Sequence, residues 1–217
     1  AVLSKPHWEG ITPEMRRLME NLGCQPFLQR FYLAGGTALS LQIGHRRSVD
    51  LDFFSETDEL DERSRNEIIH SLAVLDVQVV ESAVGNLLVL IDGIRTGFFG
   101  YGYPLVGEPI VVENIRLASL VDIGLMKCDA LVSRGSRKDF YDLYYLARTM
   151  SLGSLLSAGE QKYRLFRDFP LLVLEGMTLF DNADRDAQPV LFEPIGWEEV
   201  RAFFIQQARL FSARWFG

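Results

Sequence analysis

The chain has 217 residues, 48% hydrophobic and 24% charged, and its 29 Asp plus Glu outweigh 22 Lys plus Arg to give a net charge of −7. That is too apolar for a disordered chain and too acidic for a protein that coats duplex nucleic acid, so no broad DNA-binding surface is expected. No apolar run approaches the roughly 18 residues of a membrane span, and no apolar leader follows Ala1. Cys24 and Cys128 form neither a disulfide framework nor a metal-ligand spacing, so a cytoplasmic protein with two buried thiols is expected.

In chain order, Thr12-Pro13 opens a helix as cap and first-turn proline, and Gly23 ends it. Phe31 to Ala34 reads as a strand stopped by Gly35-Gly36, and Thr37 to Gly44 as a helix seated on those glycines. Val49 to Phe54 alternates acidic and apolar residues as a strand does, and Asp61 to Leu72 reads as a polar-faced helix. Strand-like runs follow at Val77 to Val80, Leu87 to Ile91 and Ile94 to Phe99, the last two joined by the turn pair Asp92-Gly93. Gly97 to Pro104 alternates glycine with Phe and Tyr, which suits a bent hairpin packed on the sheet better than a surface for stacking a base. Beyond Val112, helical spacing runs over Leu117 to Val132, Lys138 to Met150, Leu155 to Phe169 and Trp197 to Trp215, with a polar loop from Asp181 to Pro194. In the last helix the aromatic stripe Phe203, Phe204, Phe211 and Trp215 reads as core or interface. The fold class is therefore α+β, with a mixed sheet and flanking helices over residues 1–115 and a mostly helical region over 116–217.

Chemistry concentrates in one window. Gly35 and Gly36 let backbone approach a ligand closely, and the helix that starts there presents unpaired N–H groups suited to an anion. Asp50 and Asp52 stand two apart on a strand, so both carboxylates leave one face while Leu51 and Phe53 point to the other. Paired carboxylates repel unless a cation lies between them, and an all-oxygen pair suits Mg²⁺ together with substrate phosphates. Taken singly, a Gly-Gly-Thr is a turn and an Asp-x-Asp a solvated face; together on one strand–turn–helix–strand unit they point to phosphoryl or nucleotidyl transfer. A second cluster combines Lys127, in an otherwise apolar helix, with Arg134, Arg137, Lys138, Asp139 and Asp142. Lys127 reads either as a triphosphate contact or as a lysine snorkelling from a polar stripe, and Ser136 with Asp139 as a capping box.

Leu33-Ala-Gly-Gly-Thr-Ala-Leu, His45-Arg-Arg-Ser-Val-Asp-Leu-Asp-Phe-Phe, Lys127 and Arg137-Lys-Asp-Phe-Tyr-Asp-Leu together resemble the AbiEii/AbiGii-type nucleotidyltransferases, minimal relatives of the polymerase-β fold that include toxins of toxin–antitoxin and abortive-infection systems. The resemblance implies that Gly35, Gly36 and Thr37 form the triphosphate loop, and that Arg46 and Ser48 flank the acidic pair and steady phosphate or the strand edge. It makes Asp50 and Asp52 catalytic metal ligands for Mg²⁺, with Mn²⁺ as an alternative. It also makes Lys127 a nucleotide-phosphate contact and Asp139 a catalytic helix carboxylate. NTP, an RNA acceptor such as tRNA and a cognate antitoxin are the implied partners. Many such enzymes carry a third carboxylate on a later strand; Glu81 and Asp92 are the residues available, and neither is assigned. The rival readings are a small-molecule nucleotidyltransferase acting on an antibiotic or metabolite, and a non-catalytic partner-binding member.

Overall fold

The computed structural model describes residues 2–216, with side chains described as far as residue 213. The Trp215 side chain, expected in the stripe of the last helix, lies outside the described residues. The chain folds as two compact units, Ala1–Ser119 and Leu120–Gly217, the first a sheet with helices and the second helical, an α+β protein.

In the first unit, Thr12 accepts a hydrogen bond from the Met15 N–H at 3.2 Å and starts α1 (Pro13–Gly23), which buries Met15, Leu18, Met19 and Leu22 along one stripe. Burying each such side chain contributes roughly 1.5–3 kcal/mol. A seven-stranded sheet carries the rest of this unit, in the order β3-β4-β5-β2-β1-β7-β6. The central strands are β1 (Tyr32–Leu33), β2 (Leu51–Ser55) and β5 (Ile94–Gly100), with β3 (Val77–Ala83) and β4 (Asn86–Ile91) beyond β5 and β7 (Ile115–Leu117) and β6 (Ile110–Val112) beyond β1. β2 runs antiparallel to β1, pairing Leu33 with Phe53, and parallel to β5, pairing Asp52 with Gly97. On its inner face Phe53 stacks on Phe98 at 5.4 Å, and Phe27 and Phe31 meet Phe98 edge-on at 5.8 and 5.5 Å. Helices α2 (Gly35–Ile43) and α3 (Glu62–Ser71) complete the unit, the latter capped by Asp61 on the Ser64 N–H. Asp92 and Gly93 both have positive φ, 49° and 77°, as the expected hairpin turn requires.

Several boundaries differ from those read off the sequence. The β6–β7 hairpin was not expected: its strands are three residues long, and its turn uses Glu113-Asn114, both left-handed at φ 48° and 60°, without the glycine that usually signals one. Leu117, read as the start of a helix, pairs with Leu33, so the sheet unit extends past residue 115 and α4 (Leu120–Ser133) begins after it. Cys24 is exposed, contrary to expectation, because it caps the end of α1; Cys128 is buried, and burial pushes its thiol far above the usual range with Asp129 adding to the rise.

In the second unit α5 (Arg137–Leu146) is packed through Phe140, whose ring meets Phe204 at 5.1 Å, Phe180 at 5.2 Å and Trp197 at 5.6 Å. The helix expected from Leu155 to Phe169 is α6 (Leu152–Lys162), which stops at Lys162, and a further helix, α7 (Phe169–Gly176), begins where it was expected to end, with Pro170 in its first turn, where the missing N–H costs nothing. The polar loop contains the short α8 (Asp181–Arg185), and α9 spans Trp197–Phe216. Lys162 and Asp122, both fully buried, pair at 3.0 Å and tie α6 to α4. Among the described residues no helix is long and apolar enough to cross a membrane.

Candidate functional site

The sheet unit builds its site where β1 turns into α2 beside the start of β2. Gly35 sits in the left-handed region at φ 66°, and a Cβ there would lie 3.3 Å from Asp52 Oδ2. An L side chain would be both strained and pressed against the carboxylate. Gly36 has no such backbone demand, but a Cβ there would meet the Arg46 guanidinium at 2.1 Å and push that side chain aside. The two glycines and Thr37 form the first turn of α2, so the helix begins at Gly35 and not at Thr37 as expected, and the N–H groups of that turn lack intrahelical partners. The positive end of the helix dipole lies there as well.

The segment between α2 and β2 is fastened to this turn by buried polar contacts. The hydroxyls of Thr37 and Ser48 share a hydrogen bond at 2.7 Å, and Thr37 also donates to the Asp50 carbonyl. Ser40 donates to the Arg46 carbonyl at 2.8 Å, the Ser48 N–H donates to the Gly10 carbonyl at 2.8 Å, and the buried Arg46 donates to the Arg47 carbonyl at 2.9 Å. A guanidinium is thereby held next to the glycine turn, while Arg47 is exposed. Asp50 and Asp52, about a quarter to a third exposed, stand beside the half-exposed Arg95 of β5, whose Nη1 lies 3.8 Å from Asp50 Oδ2 and 4.0 Å from Asp52 Oδ1. The Ala34 N–H donates to the Asp52 carbonyl at 3.0 Å, which fixes the turn against the strand.

Arg95 was missed in the sequence because only strand pairing brings it to the acids. The direct pairing of Asp52 with Gly97 was the signal, and it is invisible before the sheet is known. Glu81 shares the register row of Asp52 but lies on β3, three strands away, or roughly 14 Å at the usual spacing. It accepts instead from Asn86, and Asp92 is held in its turn. Among the described residues no group of three or more Asp, Glu, His or Cys gathers as a metal site. Two hard carboxylates held near a cation fit Mg²⁺, which commonly takes one or two protein carboxylates and completes its shell from phosphate and water.

The second cluster lies in the helical unit. The Lys127 ammonium, only 5% exposed, pairs with Asp139 at 2.8 Å and Asp142 at 2.7 Å, both fully buried, so it is not on a polar stripe. Arg134, 56% exposed, clamps the same Asp139 with two bonds of 2.8 and 2.9 Å. Burial alone would raise the Asp139 carboxyl, but the Lys127 ammonium and the Arg134 guanidinium outweigh it and hold it well below the usual carboxylate range. The expected capping box does not form in the usual sense. Ser136 occupies the N-cap of α5, yet its hydroxyl donates to Asp139 at 2.6 Å, and the Arg137 N–H is satisfied by Asp186 at 2.9 Å.

The family described as "Nucleotidyl transferase AbiEii toxin, Type IV TA system" matches residues 17–88 and 103–215. An uncharacterized protein of Aquifex aeolicus is 36% identical over 201 residues, covering 90% of this chain and 95% of that one. Among solved structures, MenT4, a nucleotidyltransferase toxin of Mycobacterium tuberculosis, superposes with a TM-score of 0.58 at 16% identity, over 88% of this chain and 83% of its own. JHP933 of Helicobacter pylori gives 0.54 at 20% over 92% and 89%, and the antibiotic-resistance factor ANT(2'')-Ia gives 0.53 at 14% over 76% and 97%.

Proposed function

Because the chain belongs to the AbiEii nucleotidyl transferase toxin family and is on that ground a nucleotidyltransferase, we propose that it moves a nucleoside monophosphate from an NTP to a hydroxyl of RNA, such as a tRNA, releasing pyrophosphate. The observation that carries this reading is the closeness of the glycine turn to Asp52: a Cβ on Gly35 would lie 3.3 Å from that carboxylate, at the first turn of a helix. A phosphate cradle and a cation-binding pair in one place are what transfer of a phosphoryl group needs.

In this reading the β- and γ-phosphates rest on the first-turn N–H groups of Gly36 and Thr37, in the field of the helix dipole and of Arg46. Ser48 steadies that turn through its hydroxyl contact with Thr37. Asp50 and Asp52 hold Mg²⁺, or Mn²⁺ in its place, which when bound supplies charge neutralisation and favours ionisation of the acceptor hydroxyl. The acceptor oxygen forms a bond to the α-phosphorus, the α–β bridging bond breaks, pyrophosphate leaves on the glycine-turn side, and the hydroxyl proton passes to water at this open face. Positioning and fixed charge supply most of the rate.

Asp139 accepts from Lys127, Arg134 and Ser136 and is a poor proton acceptor. We assign Lys127 and Asp139 to positioning: they fix Arg134, an exposed guanidinium whose charge suits an anionic ligand. The family description implies neutralisation by a cognate antitoxin, and the cytoplasm, where NTP and RNA meet, is the expected place of action.

Incubation with each labelled NTP, Mg²⁺ and total RNA is expected to label a discrete RNA, and Asp50→Asn to abolish the label while the thermal midpoint stays. Full labelling by that variant would overturn the assignment. The net charge of −7 favours a second reading, a cationic small-molecule acceptor; label on a basic small molecule with none on RNA would select it.

A further inference from the structure

We propose that the sheet face on the β5 side of Asp52 is an acceptor subsite, where an unpaired nucleobase of the RNA stacks on Phe99. The inference deepens the transferase reading and rests on it for the identity of the acceptor.

Asp52 is flanked on two sides by residues without side chains. Its Oδ2 lies 3.3 Å from where a Gly35 Cβ would sit, and its Oδ1 lies 3.3 Å from where a Gly97 Cβ would sit. Gly35 follows β1 and Gly97 belongs to β5, and β2 runs between those two strands. In phosphoryl transfer the attacking and leaving oxygens stand roughly in line. With pyrophosphate leaving over the glycine turn on the β1 side, the acceptor hydroxyl arrives from the β5 side.

That side is aromatic. A Cβ on Gly97 would meet the Phe99 ring at 2.5 Å, so the ring folds back over Gly97 toward the carboxylate, a path only glycine leaves open. Phe99 stacks on Phe54 at 5.0 Å and 29°, and Tyr101 meets Phe54 edge-on at 5.5 Å. Tyr32 of β1 stacks on Phe54 from the other strand at 6.2 Å and 26°, and Phe53 and Phe98 on the opposite face are completely buried, so the half-buried Phe99 is the ring that offers aromatic surface beside the two carboxylates. A π-face is a platform for any base, and Arg95, half-exposed in the same strand, offers a cation for the adjoining phosphodiester.

The test uses a short single-stranded RNA ending in 5-iodouridine, photocrosslinked to the full chain without NTP or metal, with calorimetry of each Mg²⁺–NTP run separately. Crosslinks are expected at Phe99. Phe99→Leu should lower the yield and raise the KM for the RNA acceptor about tenfold or more, with kcat and NTP affinity retained, and Phe99→Tyr should restore both. Crosslinks elsewhere, or wild-type yield and KM in Phe99→Leu at an unchanged melting temperature, would overturn the subsite. Absence of NTP binding by the wild-type chain would instead overturn the transferase reading, and the crosslink map would still decide the stacking.

Discussion

Asp50 and Asp52 feel the Arg95 guanidinium at about 4 Å, and a divalent cation must compete with it for the same oxygens. A half-exposed pair of this kind is worth roughly 0–1 kcal/mol, so Arg95→Ala is expected to tighten Mg²⁺ binding by about two- to fivefold in a calorimetric titration. Unchanged or weaker binding would show that Arg95 does not oppose the metal. Gly35→Ala meets two penalties, the left-handed backbone and the pressure on Asp52, so it should cost about 1–2 kcal/mol of stability and depress transfer more than stability; equal losses in melting and labelling assays would count against a site role. At this scale the sequence was most legible where the partners are close along the chain. Gly35, Gly36, Thr37, Ser48, Asp50 and Asp52 fall within one strand–turn–helix–strand unit, so their spacing predicts their meeting. Arg95 and Phe99 join them only through the pairing of β2 with β5, which no local pattern encodes.

Helices α4 and α5 are joined by the buried set Lys127, Asp139 and Asp142, with Arg134 closing it at the surface. Removing the ammonium by Lys127→Met takes a shared cation away from two buried carboxylates, at a cost on the order of 3 kcal/mol. A chain of this length should then melt about 10 °C lower, and a change of only a degree or two would deny the ion set its structural role. The folded Asp139 carboxyl lies below its unfolded value, so its contribution to stability is complete above the unfolded pKa of about 4 and fades as pH falls further. Wild-type melting should therefore decline steeply below about pH 4, and Asp139→Asn should flatten that decline. Elements with strong periodicity, such as α1 and β4, were plain in the sequence. The β6–β7 hairpin was hidden because strands of three residues hold too few positions to show alternation, and the α6–α7 break was hidden because Tyr163 and Phe169 continue the apolar spacing across it.

Taken whole, the chain is acidic, with a sequence pI near 5.0, so any RNA contact must be small and locally basic. With two or three phosphates met by local groups such as Arg95, the logarithm of RNA affinity should fall against the logarithm of salt with a slope of about −2. A slope steeper than about −5 would demand a broad basic surface that this composition does not supply. The division into Ala1–Ser119 and Leu120–Gly217 is crossed by the backbone once, at the bond between Ser119 and Leu120. Every strand ladder is complete before that bond, the last sheet contact being the Ala118 N–H on the Leu33 carbonyl, and the first helix of the second unit opens directly after it. Such a seam is a natural breakpoint in the gene: a cut there splits no strand pair of the sheet and neither of the buried ion sets of Lys127 and Lys162.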